Sequence, residues 1–180
     1  MRIIAGRWRG RPLVAPAGSA TRPTADRVRE ALFSMIASRI GSFEGLDVLD
    51  AFAGTGALGL EALSRGAARA TFIEPDRQAV QALRTNIDKL GAAATVVAQR
   101  VETAGKAPAL HHLAFLDPPY DQDLVRPALT HLAERGWLAP QALVSVETSR
   151  DEVLDVPGFE LDATRDHGKA RVHLLRYLGA

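Results

Sequence analysis

Apolar residues along this chain follow two alternating patterns. From Leu46 onward, short continuous apolar runs are separated by longer segments in which apolar residues recur every three to four positions. Short runs are typical of buried parallel strands, and the longer period indicates amphipathic helices. The alternation predicts an α/β fold with helices on both faces of a parallel sheet. The predicted strands are 46–50, 70–74, 95–98, 113–116 and 142–147, followed by an antiparallel pair at 159–164 and 170–178.

Four helices are predicted around these strands. The leading helix begins near Thr24, a residue type that favours the N-cap position, and runs to about Ile40. Two others end at a glycine that can take a left-handed conformation. The three later helices are predicted at 57–65, 76–90 and 124–135.

The N-terminal segment differs from the rest of the chain. Residues 1–15 combine β-forming side chains with two glycines, which predicts a short hairpin, and a loop rich in Pro, Gly and Ser follows. We therefore divide the chain into an N-terminal basic hairpin and loop, residues 1–23, and a larger domain with its leading helix, residues 24–180.

A glycine-rich turn follows the first predicted strand. Gly54, Gly56 and Gly59 match the pattern G-x-G-x-x-G, in which glycines allow the backbone to approach a ligand closely. Alone, this match is weak, and it is also compatible with a dinucleotide such as NAD. Asp50 ends the first strand, and Glu74 ends the second, where an acid commonly holds a ribose diol.

A second motif, Asp117-Pro118-Pro119-Tyr120, follows the apolar run 113–116. Two prolines lack N–H groups, and Pro118 favours an extended conformation for Asp117. The corner therefore presents a carboxylate and backbone carbonyls, all hydrogen-bond acceptors, beside an aromatic ring. Such a surface suits a flat substrate that carries an NH2 group, for example a nucleobase.

Together the two motifs favour a methyltransferase over a hydride-transfer enzyme. Asp50 would repel a pyrophosphate, whereas it would attract the sulfonium and ammonium groups of S-adenosylmethionine. The Asp-Pro-Pro-Tyr corner has no role in hydride transfer. We interpret the glycine turn as the cofactor site and the corner as the target site.

Composition narrows the function further. With 180 residues, the chain is expected to form one main core. It contains no bilayer-length apolar run and no secretion signal, so a cytoplasmic location without membrane attachment is predicted. It has no cysteine, which excludes cysteine-ligated zinc and a cysteine nucleophile. Because carbon-5 methylation of pyrimidines generally needs that nucleophile, a heteroatom target is favoured. The scattered histidines predict no metal site.

Positive charge is concentrated at the N-terminus. Residues 1–30 hold seven arginines and two carboxylates, for a net charge of +5, whereas the remaining 150 residues carry −4. Guanidinium groups bind phosphates and stack on bases, so this segment predicts an RNA-binding arm. A solvated tail and local pairing of the arginines with Asp26 and Glu30 are the alternatives. The candidate RNA contacts are Arg7, Trp8, Arg9, Arg11, Arg22, Thr24, Arg27 and Arg29.

Five segments in the same order resemble the RsmD-type methyltransferases, bacterial enzymes that methylate the exocyclic N2 of a guanine in 16S ribosomal RNA. The stretch from Arg22 to Phe33 is specific to that family, whereas the glycine turn is not, and the corner also occurs in DNA adenine and glutamine methylases. The resemblance covers nearly the whole chain. Its segments are 2–6, 8–11, 22–33, 54–62 and 117–120.

The resemblance implies a class I S-adenosylmethionine-dependent methyltransferase fold, a Rossmann-like seven-stranded sheet with a terminal antiparallel hairpin. It implies that Asp50 and the glycine turn hold the methionine part of the cofactor and that Glu74 binds the ribose. Arg100 stands where the family often has an acid or amide near the adenine, and Gln99 or a backbone amide could substitute. The candidate cofactor residues are Asp50, Phe52, Gly54, Thr55, Gly56, Glu74, Pro75, Gln99 and Arg100.

The predicted reaction is a direct displacement at the methyl carbon without a metal. Asp117 and the Pro118 carbonyl would accept the hydrogens of the amine, Pro119 would stiffen the corner, and Tyr120 would stack on the base. With an ordinary pKa of about 3.9, Asp117 is expected to orient the amine rather than act as a strong base. The expected partner is ribosomal RNA in a small-subunit particle. A DNA adenine or protein glutamine methyltransferase and a non-catalytic RNA-binding factor remain alternatives.

Overall fold

The computed structural model describes residues 1–16, 23–119 and 123–179, without the side chains of Pro23 and Thr24. Its described part contains seven strands in one sheet. Their bounds are β1 Asp47–Ala51, β2 Arg69–Ile73, β3 Ala94–Val97, β4 His111–Leu116, β5 Leu138–Ser149, β6 Phe159–His167 and β7 Ala170–Tyr177.

The strand order is β3-β2-β1-β4-β5-β7-β6. The first five strands pair in parallel, and β7 lies antiparallel between β5 and β6. The predicted seven-stranded sheet with a terminal hairpin is therefore confirmed. β5 extends beyond the predicted 142–147 at both ends, and it includes Pro140, a residue that sequence reasoning does not expect inside a strand. At the start of β5, the extension coincides with an irregular register between β4 and β5.

Helices cover both faces of the sheet. Against one face pack α1, α2 and α3, and against the other pack α4 and a short 3-10 helix, Val101–Thr103. Parallel strands are buried on both faces, which explains their continuous apolar runs. The helix bounds, each within two residues of the prediction, are α1 Pro23–Ile40, α2 Ala57–Ser64, α3 Arg77–Leu90 and α4 Val125–Glu134.

The N-terminal arm, defined here as residues 1–16, turns back on itself and packs against α2. Arg2 and Pro12 form a single antiparallel bridge, so the predicted hairpin is shorter than two full strands. Ile3, Trp8 and Leu13 are buried in the same core cluster as α1 and α2. The division of the chain at residues 23 and 24 stays a prediction, because residues 17–22 lie outside the described residues.

A buried carboxylate on α2 holds this arm. Glu61 is completely buried and accepts hydrogen bonds from the backbone N–H groups of Ile4, at 2.8 Å, and Ala5, at 3.0 Å. It also accepts from Arg65 Nε at 2.9 Å. The backbone N–H of Trp8 donates to Ser64 Oγ at 3.0 Å. Since an unpaired buried carboxylate would be strongly destabilising, these donors explain why an acid is tolerated here.

Gly6→Ala is expected to destabilise the protein more than Gly10→Ala. Both glycines have a positive φ, 82° and 81°, so alanine is strained at either position. At Gly6, however, a Cβ would lie only 1.9 Å from the Ser64 carbonyl oxygen, whereas at Gly10 no atom lies within 4 Å. We expect Gly10→Ala to lower the free energy of unfolding by about 1 kcal/mol and Gly6→Ala by at least about 2 kcal/mol. Chemical denaturation checks this; equal losses would show that the arm does not pack on α2 as described.

Candidate functional site

A cleft of about 570 Å³ opens at the carboxyl ends of β1, β2 and β4. In open α/β sheets, ligands bind beyond these strand ends, next to the point where the strand order reverses. The cleft brings together the glycine turn and the Asp-Pro-Pro corner, about sixty residues apart in the sequence. Its lining residues are Phe52, Gly54, Glu74, Pro75, Asp76, Arg100, Val101, Glu102, Asp117, Pro118, Pro119 and Leu124.

The turn after β1 leaves room for a ligand above Gly54. A Cβ on Gly54 would meet no atom within 4 Å, so the space beside this backbone is open to the cleft. Phe52 has a φ of 67°, a left-handed conformation that is uncommon for an aromatic residue and is often found at functional sites. Gly56 has a different role, because a Cβ there would lie 2.4 Å from Leu83 Cδ1. Close packing of the turn against α3 therefore requires glycine at this position.

Glu74 connects the glycine turn to the start of α3. Its Oε2 accepts a hydrogen bond from the Gly54 N–H at 2.8 Å, and its Oε1 accepts from the Asp76 N–H at 2.8 Å. Asp76 in turn caps α3 by accepting from the Ala79 N–H. A carboxylate has about four lone-pair sites, so two remain for ribose hydroxyls. Glu74 can thus bind a diol while it holds the turn in place.

Asp50 lies behind the turn rather than on the cleft wall. Its side chain is buried, and Oδ2 accepts from the Gly59 N–H at 2.8 Å. Burial raises the pKa of Asp50 well above its usual value, the Gly59 hydrogen bond opposes this, and the charges of Asp117 and Glu74 add to the rise. The mutual repulsion of the three acids means that a bound cation would stabilise this site.

Asp117 is exposed to the cleft, yet the surrounding protein displaces much of its hydration. Desolvation and the charge of Glu147 raise its pKa to about 7. Contact with water in the open cleft limits this desolvation, so we place its ionisation midpoint at or below about 7. The carboxylate of Asp117 is therefore more basic than the ordinary one expected from the sequence, which is a property that suits a proton acceptor near neutral pH.

Glu102 is a cleft residue that the sequence reasoning missed. Its Oε1 is buried and has no hydrogen-bond partner among the described residues. A buried, unpaired acceptor is costly, and a ligand N–H group would satisfy it. Arg100 also lines the cleft, whereas Gln99 is exposed and does not. The sequence does show that Glu102 is a polar residue two positions beyond Arg100. It does not show which side chain of this segment points into the cleft.

The charge balance of the cleft defines the kind of ligand it accepts. Among the described residues that line the cleft, Glu74, Asp76, Glu102 and Asp117 face one cation, Arg100, with buried Asp50 behind them. Such a site repels a pyrophosphate and attracts a sulfonium or ammonium group. The open space at Gly54, the diol acceptor and the unpaired acceptor together fit S-adenosylmethionine.

A larger depression of about 770 Å³ on the outer side of α3 lacks this convergence of acids. It is lined mainly by polar side chains of α3, including Arg77 and Arg84, together with Pro75, Val80 and Ala98. Among the described residues, no group of three or more His, Cys, Asp or Glu side chains is placed to hold a metal ion. In the same part of the chain, no helix is both long and apolar enough to cross a membrane.

The predicted RNA contacts on the arm separate into exposed and buried residues. Arg7, Arg9 and Arg11 are exposed, and Arg11 Nη2 donates to the Lys89 carbonyl at 3.0 Å. Trp8 is buried, with the Arg7 guanidinium 4.1 Å from its ring centroid. This placement argues against base stacking by Trp8, because its faces are already covered.

The predicted RNA contacts on α1 also differ in their exposure to solvent. Arg27 is exposed, whereas Arg29 is buried and its Nη2 donates to the Arg2 carbonyl and to Asp26 Oδ1. The placement of Arg29 argues against its predicted RNA contact, because the guanidinium joins α1 to the arm. Three predicted side chains, those of Arg22, Thr24 and Tyr120, lie outside the described residues.

The sheet order, the terminal hairpin and this cleft define the class I S-adenosylmethionine-dependent methyltransferase fold. At 20% identity, the Thermus thermophilus 16S rRNA N2 G1207 methyltransferase RsmC, solved in complex with AdoMet and guanosine, has the same fold. Its TM-score is 0.67 over 89% of this chain and 44% of that chain.

Two curated relatives and one solved structure are much more similar. Ribosomal RNA small subunit methyltransferase D of Escherichia coli strain K12 is 45% identical over 150 residues, 82% of this chain and 74% of the relative. The Haemophilus influenzae protein of that name is 41% identical over 163 residues, 87% and 83% of the two chains. The structure of the putative methyltransferase yhhF from Escherichia coli has a TM-score of 0.87 and 39% identity, covering 100% of this chain and 99% of that one.

A family model described as conserved hypothetical protein 95 matches residues 1–176. The chain belongs to this family, that of the ribosomal RNA small subunit methyltransferase D proteins. The resemblance inferred from its five sequence segments is confirmed.

The raised pKa of Asp117 predicts opposite effects of pH on activity and on stability. We expect kcat/KM for methyl transfer to rise with pH through a midpoint at or below about 7 and then to level off, because only an ionised carboxylate is free to accept a proton from a substrate. Since the pKa is raised in the folded state, the stability that Asp117 contributes is present below its unfolded value of about 3.9 and is lost as pH rises through its folded value.

Asp117→Asn provides the control for this prediction, because it removes the titration and keeps the size of the side chain. Its melting temperature should exceed that of the wild type by an amount that grows between pH 4 and pH 8. A difference in melting temperature that does not change with pH would show that Asp117 titrates as an ordinary surface acid.

Proposed function

We propose that this protein transfers a methyl group from S-adenosylmethionine to the exocyclic N2 of a guanine in small-subunit ribosomal RNA. The observation that carries the proposal is the position of Asp117, next to the cation-attracting cleft, with Pro118 and Pro119 in the same wall. Membership of the methyltransferase D family, whose named relatives act on small-subunit ribosomal RNA, supports the substrate class. A cytoplasmic location accompanies this substrate.

The cofactor is held by side chains from three strand ends. Glu74 would accept hydrogen bonds from the ribose hydroxyls, the open backbone at Gly54 would accommodate the methionine part, and the buried carboxyl of Asp50 would lie behind the turn, where a bound cation would favour its ionised form. Glu102 would accept a hydrogen bond from the adenine amino group with its unpaired Oε1, and an acid or amide at the position of Arg100 would then not be needed. The cofactor supplies an electrophilic methyl carbon attached to a positively charged sulfur.

The Asp-Pro-Pro corner prepares the amine as a nucleophile. The lone pair of an exocyclic amine is delocalised into the ring, so the amine must be oriented by acceptors for its hydrogens. Asp117 accepts one hydrogen, and the Pro118 carbonyl accepts the other. Positioning of this kind can lower a barrier by roughly 7–11 kcal/mol in favourable cases. After transfer, Asp117 takes the proton, for which its raised pKa suits it.

The proposal is tested by supplying purified protein with labelled S-adenosylmethionine and three acceptors. These are small-subunit particles from a strain that lacks the activity, the free 16S ribosomal RNA, and duplex DNA that contains adenine. We expect label in ribosomal RNA only, with N2-methylguanosine as the product in mass spectrometry of the digested RNA. Label confined to DNA, or a methylated base other than guanine, would overturn the proposal.

The arm is proposed to bind the phosphates of the RNA. Arg9 is exposed on the arm, so Arg9→Ala should weaken binding to all RNA sequences alike and reduce the slope of log K against log salt by about 1. Filter binding at several salt concentrations measures this slope. Arg165→Ala, a change at an exposed arginine on β6, is the matched control and should leave the slope unchanged. An unchanged slope in Arg9→Ala would remove this residue from the interface.

A further inference from the structure

Asp117 and Glu147 form a carboxylate pair on neighbouring strands. Leu116 of β4 pairs with Val146 of β5. Asp117 and Glu147 are the residues that directly follow this pair, so they lie opposite each other on the two neighbouring segments. Leu116 and Val146 pack in the same core cluster, and successive side chains of a strand point to opposite faces. Both acids therefore lie on the other face of the sheet, with their backbones about 4.8 Å apart. The effect of the Glu147 charge on Asp117 agrees with this proximity.

Asp50 of β1 adds a third acid near the pair; it is level with Phe115 of β4, two residues before Asp117. Its neighbours Leu49 and Ala51 pack in the same cluster as Leu116, so Asp50 lies on the same face of the sheet as Asp117. Of the three acids, Asp50 lies beneath the cofactor turn, Asp117 lies between the turn and β5, and Glu147 is on β5 itself. An amine held at Asp117 therefore has the cofactor on one side and Glu147 on the other.

We propose that Glu147 selects guanine by accepting the N1–H of the base while Asp117 holds the neighbouring exocyclic amine. The inference rests on the proposed function, because it identifies the base recognised at the same site. On guanine, N1–H and the N2 amine are adjacent donors, which match two adjacent acceptors. Adenine presents an amine next to N1, a lone-pair acceptor, which an ionised carboxylate repels. Flipped bases are generally read through such contacts to their Watson–Crick edge.

The experiment compares guanine with 2-aminopurine at the target position of the shortest ribosomal RNA fragment that the wild-type protein methylates. 2-Aminopurine keeps the exocyclic amine at carbon 2 but has no hydrogen on N1. Wild-type protein should favour guanine by about 10- to 100-fold in single-turnover rate, the discrimination expected of one good hydrogen-bonded contact. In Glu147→Ala, this ratio should fall below about threefold, mainly through slower reaction with guanine.

Glu160→Ala, a change at an exposed acid on β6, is the matched control and should keep the wild-type ratio. A wild-type ratio in a folded Glu147→Ala protein that still binds S-adenosylmethionine overturns the proposal for Glu147 alone. Should that variant not fold, the ratio of the guanine rate to the 2-aminopurine rate is measured in Glu147→Gln instead. A drop in this ratio of at least about threefold supports the proposal, and no drop overturns it. Failure of the wild-type protein to methylate any guanine-containing ribosomal RNA would instead contradict the proposed function.

Discussion

Asp117→Asn is expected to lower the single-turnover rate of methyl transfer by about a hundredfold to ten-thousandfold, the range typical for loss of a positioned proton acceptor. Asparagine has nearly the same size and keeps one acceptor oxygen for the amine hydrogen, but it has no charge and its oxygen cannot take up a proton near neutral pH. Rapid quenching with labelled S-adenosylmethionine and the ribosomal RNA substrate measures the effect.

Cofactor binding separates this prediction from simple damage to the site. Glu74 and Asp50 remain in the variant, so calorimetry should show affinity for S-adenosylmethionine reduced by less than about tenfold, as expected for the loss of one screened charge. Glu160→Gln, on the exposed side of β6, should retain the wild-type rate. A rate in Asp117→Asn within about threefold of the wild type would mean that proton acceptance by Asp117 has no part in the chemistry.

Glu61→Ala is expected to destabilise the protein by about 3–5 kcal/mol, the usual consequence of removing one partner from a buried ionic network. The substitution leaves the backbone N–H groups of Ile4 and Ala5 and the guanidinium of Arg65 without their acceptor. Arg65 also lies 4.7 Å from the ring centroid of Phe33, so the loss extends to the packing of α1. Urea denaturation followed by circular dichroism measures the change.

Two further variants define what Glu61 contributes. Glu61→Gln keeps one acceptor oxygen and should lose less stability than the alanine variant. Glu134→Ala, at an exposed acid in the last turn of α4, should change the free energy of unfolding by no more than about 0.5 kcal/mol. Faster tryptic cleavage at Arg7 and Arg9 in Glu61→Ala would show that the arm has separated from α2. Stability equal to that of the Glu134→Ala protein would contradict the structural role of Glu61.

Much of the candidate site could be predicted because its signals are local. Glycines at Gly54 and Gly56 and prolines at Pro118 and Pro119 restrict the backbone within a few residues, and each motif directly follows an apolar strand. Parallel strands then bring their carboxyl ends to one edge of the sheet. That Asp117 lies next to the glycine turn depends in addition on β1 and β4 being neighbours in the sheet, which the two motifs do not specify.

Burial of polar residues could not be predicted in the same way. Arg29 was expected at the RNA surface because it is one of several arginines in a basic segment, and nothing in its neighbourhood distinguishes it from exposed Arg27. Its burial depends on Arg2, which lies 27 residues away, and on the packing of α1 beside the arm. Glu102 was missed for the same reason, since an amphipathic pattern does not form over a three-residue helix.

The sequence by itself determined the succession of strands and helices along the chain, the two loops of the candidate site and the basic character of the arm. These follow from periodicity and from the backbone restrictions of glycine and proline, which act over a few neighbouring residues. Only the tertiary structure decided that Glu61 anchors an arm 57 residues away and that Glu147 stands beside Asp117. Desolvation and the pKa shifts it causes depend on the packing of distant segments, which no local pattern of residues encodes.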